Sequence, residues 1–142
     1  MMKWRYTLDT VEQIAQQLKI MTYQYQIFTL QGPLGVGKTT LMQKLFRACG
    51  VQQSVTSPTF SYLSIYETDD NRLIYHFDLY RIPSMEQFVK AGFDEYLYQQ
   101  NSFACIEWPE CIMPLLNRSV CYITIEFDTI DARTLYIETK NG

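Results

Sequence analysis

The run Gly32-Pro33-Leu34-Gly35-Val36-Gly37-Lys38-Thr39 places glycines, a lysine and a hydroxyl at a spacing that suits the cradling of phosphate. Gly35 and Gly37 let the backbone curl so that successive N–H groups face inward as an anion-binding nest. A helix opening near Lys38 aims its positive dipole end at the same oxygens. Lys38 is long enough to reach β- and γ-phosphates, and the Thr39 hydroxyl can complete the coordination of magnesium. The chemistry implied is the binding of a nucleoside triphosphate with its metal. Pro33 removes an N–H only at the start of the loop, where donors matter least.

Such a loop needs an acidic partner for the metal, usually at the end of a neighbouring parallel strand. Two apolar runs end in a carboxylate. Phe103-Ala104-Cys105-Ile106-Glu107 suits a magnesium ligand, direct or through water. Arg72-Leu73-Ile74-Tyr75-His76-Phe77-Asp78 offers a group that could position or activate an attacking water, or hold the metal shell. Read alone, each acid could equally be an exposed strand-end charge. His76 is expected to pack or to hydrogen-bond within its strand.

The elements that must position these groups follow from periodicity. Residues 4–8 read as a short strand, and Asp9 or Thr10 as a helix cap, because Glu12 and Gln13 each stand three positions further on. Val11, Ile14, Ala15 and Leu18 repeat as one buried helical face. Residues 26–30 form an apolar strand feeding the loop. Beyond it Leu41, Met42, Leu45, Phe46 and Cys49 recur at helical spacing, with Gly50 as a stop. Residues 61–68 and 72–80 are strand-like and joined by Asp69-Asp70-Asn71, a hairpin. Ser84 with Gln87 opens a helix over 85–91, Gly92 breaks it, and 94–100 predict a further helical turn or two. Residues 109–116 predict a helix with Pro109 in its first turn. A second hairpin joins 120–127 to 134–139. There is no repeat, low-complexity tract or linker. The pattern predicts one α/β domain over residues 1–142, a P-loop NTPase-like three-layer sandwich with a central, mostly parallel sheet plus antiparallel hairpins.

Composition narrows the function classes. With 47% hydrophobic and 19% charged residues, the 142-residue chain reads as globular. Its 11 tyrosines and 8 phenylalanines suit strands and core. The formal net charge is -3, the pI about 5.1, and no run of Lys or Arg occurs, so tight unaided binding of RNA or DNA is not expected. Cys49, Cys105, Cys111 and Cys121 form no Cys-x-x-Cys pair, which argues for buried thiols in a reducing compartment over a zinc site. The amino terminus does not read as a signal peptide, and no segment reaches the roughly 18 apolar residues of a membrane span. A cytoplasmic protein is expected.

Gly35-Val36-Gly37-Lys38-Thr39-Thr40, Ser57-Pro58-Thr59-Phe60, His76-Phe77-Asp78-Leu79-Tyr80-Arg81 and Glu107-Trp108-Pro109-Glu110 follow one another in order and spacing. Together they resemble the TsaE (YjeE) family, small bacterial ATPases needed for threonylcarbamoyladenosine modification of tRNA. The resemblance runs from the helix at Thr10 to the hairpin at Arg133. It implies ATP and Mg2+ as cofactors, with Gly35, Val36, Gly37, Lys38, Thr39 and Thr40 at the nucleotide and Thr39 and Glu107 on the metal. It implies that Thr59 lies in a switch-like loop sensing the γ-phosphate and that Asp78 belongs to a segment required for turnover. Lys38, Asp78 and Glu107 are the candidate catalytic residues. Trp108 is similar to a functionally important tryptophan near the nucleotide, and Thr10 and Arg133 resemble positions near it. One departure is Pro33, where the family usually carries Asp; any family-specific task of that carboxylate is in doubt here.

The implied function is an ATPase subunit that supports repeated turnover of partner transferase subunits of the TsaD and TsaB types. Hydrolysis is expected to be weak alone and stimulated by the partners, with tRNA contacted indirectly. One alternative is a small-molecule kinase, although the six arginines are scattered and form no lid-like cluster. Another is an ATP-dependent assembly factor in which hydrolysis is dispensable. A GTPase is disfavoured because no Asn-Lys-x-Asp motif occurs.

Overall fold

The computed structural model describes residues 1–56, 58 and 61–142. Thr59, with the switch role implied for it, and its neighbours Ser57 and Phe60 lie outside the described residues. In chain order the elements are β1 (Met2–Thr7), α1 (Val11–Met21), β2 (Ile27–Gln31), α2 (Lys38–Ala48), β3 (Leu63–Glu67), β4 (Leu73–Asp78), α3 (Met85–Lys90), β5 (Ser102–Glu107), β6 (Val120–Phe127) and β7 (Ala132–Lys140). Two 3-10 segments, Phe93–Tyr96 and Pro109–Leu115, complete the set among the described residues.

The strands form a seven-stranded sheet in the order β1-β7-β6-β2-β5-β4-β3. β6, β2, β5 and β4 run parallel, and β3 and β7 close the ends of that block as antiparallel partners of β4 and β6. β1 adds to the outside of β7. The mostly parallel centre with flanking hairpins is therefore as the sequence predicts. Parallel strands need crossovers that cover the sheet faces, and the helices supply them.

Side-chain alternation divides the interior in two. Phe28 and Leu30 of β2, Phe103 and Cys105 of β5, and Ile123 and Ile125 of β6 face α1 and α2, packing on Leu18, Leu41, Leu45 and Phe46. Ile27, Ala104, Ile106, Tyr75 and Phe77 face the opposite way, under Phe88 of α3 and Ile112. Phe28, Phe46, Phe77 and Phe88 are fully buried, each contributing about 1.5–3 kcal/mol over an exposed position.

Three local expectations change. Thr10 stands at the N-cap position of α1, but its hydroxyl makes no forward cap; it accepts from the Thr7 N–H at 2.9 Å and closes the β1–α1 turn. Residues 94–100 hold only the 3-10 turn Phe93–Tyr96, because Leu97 passes to extended backbone (ψ 138°), and Tyr98 and Asn101 beyond it are left-handed, so helical bonding does not resume. The helix expected over 109–116 forms as a 3-10 segment, Pro109–Leu115, with Pro109 in its first turn and Pro114 removing one donor near its end. Ser84 does cap α3 as expected, accepting from the Gln87 N–H at 3.1 Å.

Candidate functional site

β2 runs into the glycine-rich loop at the centre of the parallel block, where ligands of open α/β sheets collect at the strand ends. Gly35 (φ +78°) and Gly37 (φ +108°) occupy the left-handed region, and a Cβ on either would meet nothing within 4 Å. Their conformation therefore shapes the loop, and the space over them is open. Gly32 is glycine for another reason. A Cβ there would lie 2.6 Å from the carbonyl oxygen of Ile125 on β6.

α2 begins at Lys38, so its N–H groups and dipole face the loop. The Lys38 ammonium is nearly buried, donates to the carbonyl of Gly32 and approaches that of Pro33 at 3.4 Å. It also stands 3.9 Å from the centre of the Trp108 ring. Burial holds its pKa below the ordinary lysine value, with Glu107, Asp78 and Glu110 pulling the other way. Lys38 is thus a desolvated cation supported by carbonyl dipoles and a ring face, ready to be compensated by a phosphate. Pro33 takes part in this loop through its carbonyl, which accepts from the Val36 N–H at 3.2 Å and lies 3.4 Å from the Lys38 ammonium.

Glu107 and Asp78 end the neighbouring parallel strands β5 and β4 and are register partners. Both are buried, at 2% and 5% exposure, which removes the reading of exposed strand-end charges. Period-two alternation sends Glu107 to the α2 side, where the Thr39 hydroxyl donates to its Oε1 at 3.4 Å. A hydroxyl and a carboxylate oxygen facing one another is a hard, oxygen-only donor set, which fits magnesium and leaves its other positions to phosphate and water. Asp78 Oδ1 accepts from the Tyr80 N–H at 3.0 Å, holding the carboxylate at the mouth of the cleft. Trp108 takes left-handed backbone (φ +56°), a strained conformation for a bulky residue, and packs against Tyr80 with ring centres 4.9 Å apart and the planes tilted by 54°.

Lys38, Thr39, Asp78, Glu107 and Trp108 line one cleft of about 460 Å³. A second, of about 610 Å³, lies on the other side of the loop between the β1–α1 turn and the β6–β7 hairpin. The two share Gly35, Gly37 and Thr40. Arg133 lines the second cleft and donates through Nε to the Val36 carbonyl at 2.9 Å, tying β7 to the loop. Thr10 does not line it, although its neighbours Asp9 and Val11 do. A further groove of about 520 Å³ between α1 and α2 carries the Glu12–Lys44 ion pair and is remote from the loop's phosphate face.

His76 corrects the sequence reading. Its Nε2 lies 2.7 Å from Glu107 Oε2, a bond across strands and not within β4. The signal was available in part: His76 and Asp78 are two apart on one strand face, beside a strand that itself ends in Glu107. What the sequence withheld was the register of β4 against β5. Tyr80 and Arg81 were also missed as cleft residues; both lie just past the strand end, where spacing carries no directional signal.

The family model described as "Threonylcarbamoyl adenosine biosynthesis protein TsaE" matches residues 6–135. A TsaE protein of Rickettsia felis is 38% identical over 91% of this chain and 72% of its own length. One from Aquifex aeolicus is 35% identical over 88% of this chain and 81% of its own. The crystal structure of Bacillus subtilis YdiB superposes with a TM-score of 0.72 at 28% identity, covering 94% of this chain and 82% of that one.

Proposed function

The chain belongs to the TsaE family, and on that footing we propose that it is an ATP-hydrolysing subunit of tRNA threonylcarbamoyladenosine biosynthesis, supporting turnover of a partner transferase. The observation that carries this reading is the meeting of Lys38, Thr39 and Glu107 at one loop, with the Thr39 hydroxyl and the Glu107 carboxylate 3.4 Å apart. The triphosphate lies in the nest of Gly35, Gly37 and the head of α2, and the nucleoside enters the cleft bordered by Thr7, Asp9, Ile130 and Arg133. Lys38 exchanges its carbonyl contacts for phosphate oxygens. Thr39 and Glu107 would hold magnesium, which supplies neutralisation of the charge that develops on the phosphoryl oxygens. Asp78, fixed by the Tyr80 N–H, orients the attacking water. Trp108 and Tyr80 wall the cleft against bulk solvent, which strengthens each electrostatic contact inside it.

The acidic character of the chain suits a division of labour in which transferase partners of the TsaD and TsaB types engage tRNA. No helix among the described residues is long and apolar enough to cross a membrane. The test is ATP hydrolysis by the purified chain with and without the co-purified transferase subunits and tRNA, using Lys38→Ala as the control. Slow hydrolysis alone and stimulation in the complex are expected. Rapid turnover alone that no partner changes would defeat the proposed mechanism. Asp78→Asn separates hydrolysis from mere binding: a variant that binds ATP, cannot hydrolyse it and still supports modification would make the protein a nucleotide-dependent assembly factor instead.

A further inference from the structure

We infer that His76 is a positioning residue for the metal-facing carboxylate, holding Glu107 so that one oxygen is turned to Thr39. The inference rests on the proposed role of Glu107. His76 is wholly buried and Glu107 is 2% exposed, so bulk water competes little for the contact between them. The two Glu107 oxygens have separate partners: Oε1 accepts from Thr39 at 3.4 Å, and Oε2 faces His76 Nε2 at 2.7 Å. A carboxylate with one oxygen clamped this way cannot rotate freely about its last bond.

Geometry also assigns the tautomer. Nδ1 of His76 has no hydrogen-bond partner among the described residues. A proton there would be an orphaned buried donor, and Nε2 would then turn its lone pair toward a carboxylate oxygen. With the proton on Nε2 the donor meets the acceptor and only a lone pair is left unpartnered. The ring is fixed in turn by Phe46 of α2, whose ring packs edge-to-face at 5.2 Å between centres. The same helix carries Thr39, so one rigid element sets both the hydroxyl and the ring that bracket the carboxylate. A partner that orients a metal-binding carboxylate typically changes metal affinity by about 10- to 100-fold when removed.

The experiment measures ATP affinity calorimetrically twice for each protein, in excess magnesium and in EDTA, and reads the ratio. A purely structural contribution of His76 would weaken both affinities alike and leave the ratio unchanged. His76→Phe keeps a ring against Phe46 but has no donor. His76→Asn keeps an amide that stops short of Glu107, and serves if the phenylalanine variant does not fold. His76→Gln carries its amide N–H to roughly the reach of Nε2. The magnesium-to-EDTA ratio is expected to fall about tenfold or more in the Phe and Asn variants and to recover in the Gln variant. Glu107→Gln, which removes the carboxylate itself, separates the two levels of the reasoning. If Glu107→Gln collapses the ratio while His76→Phe and His76→Asn keep the wild-type value, the positioning role is overturned and the metal assignment stands. If Glu107→Gln leaves the ratio intact, the metal assignment fails and the inference with it.

Discussion

Replacing Gly32 by alanine tests the seat of the phosphate loop on the sheet. The added Cβ would lie 2.6 Å from the Ile125 carbonyl oxygen and 3.0 Å from Val36 Cγ1. Ordinary contact begins near 3.4 Å, so a relative displacement of about 0.8 Å is required. The Ile125 carbonyl cannot simply turn aside, because Ile125 is paired with Leu135 of β7 and its neighbour Thr124 with Gln31 of β2. Overpacking of this kind costs about 1–3 kcal/mol. For a domain of this length about 1 kcal/mol corresponds to roughly 3–4 °C, so Tm should fall by about 3–12 °C in thermal unfolding followed by circular dichroism. Affinity for ATP should also fall, because moving Gly32 off the Ile125 carbonyl displaces the start of the loop whose N–H groups face the phosphate. Gly35→Ala is the paired control. A Cβ there meets nothing within 4 Å, and only the left-handed backbone at φ +78° is penalised, by about 1–2 kcal/mol. A Gly32→Ala protein that melts with the wild type and binds ATP as tightly would refute the close-approach explanation of this glycine.

Arg133→Ala removes the donor that ties β7 to the Val36 carbonyl; at a partly exposed site this is worth about 1 kcal/mol, so Tm should fall by roughly 3–4 °C and ATP affinity by at most about fivefold by calorimetry. Unchanged affinity would show that the tether does not shape the loop. The Asp70 carboxyl is lowered to about 2, first by the Thr68 hydroxyl and then by the Tyr23 hydroxyl. Its folded value is below its unfolded one, so its stabilisation is present above about pH 4 and is lost as pH falls toward 2. Because the group is exposed to solvent, the Tm difference between the wild type and Asp70→Asn should be small at pH 6 and vanish near pH 2; a difference that grew with acid would reverse the argument. Burial pushes the thiol of Cys49 up to about 11 and that of Cys121 up to about 12, and Cys105 is enclosed altogether. Iodoacetamide at pH 8 should therefore label Cys111 first by peptide mass spectrometry, and the other three only on unfolding.

Much of the architecture was legible because it is local. Apolar runs ending in Leu30, Asp78 and Glu107, the 3.6-residue repeat from Leu41 to Phe46 and the capping pair Ser84–Gln87 depend on neighbours within a few positions. The misread segments are those where local rules compete. Thr10 has both a turn behind it and a helix ahead, and its hydroxyl serves the turn. The helix expected over 109–116 forms as a 3-10 segment with Pro114 inside it, a distinction that spacing does not carry.

The sequence by itself determined the phosphate loop, because its chemistry is carried by contiguous backbone and by side chains one residue apart. It also determined which carboxylates end strands. Only the tertiary structure decided that β6 enters beside β2, that β1 closes on β7, and that Glu107 reaches Thr39 at the head of α2 while His76 reaches Glu107 from the next strand. These depend on strand order and register between segments separated by 31 and 68 positions. A one-residue slip in register would send either carboxylate to the opposite face, and nothing local to either strand fixes that choice.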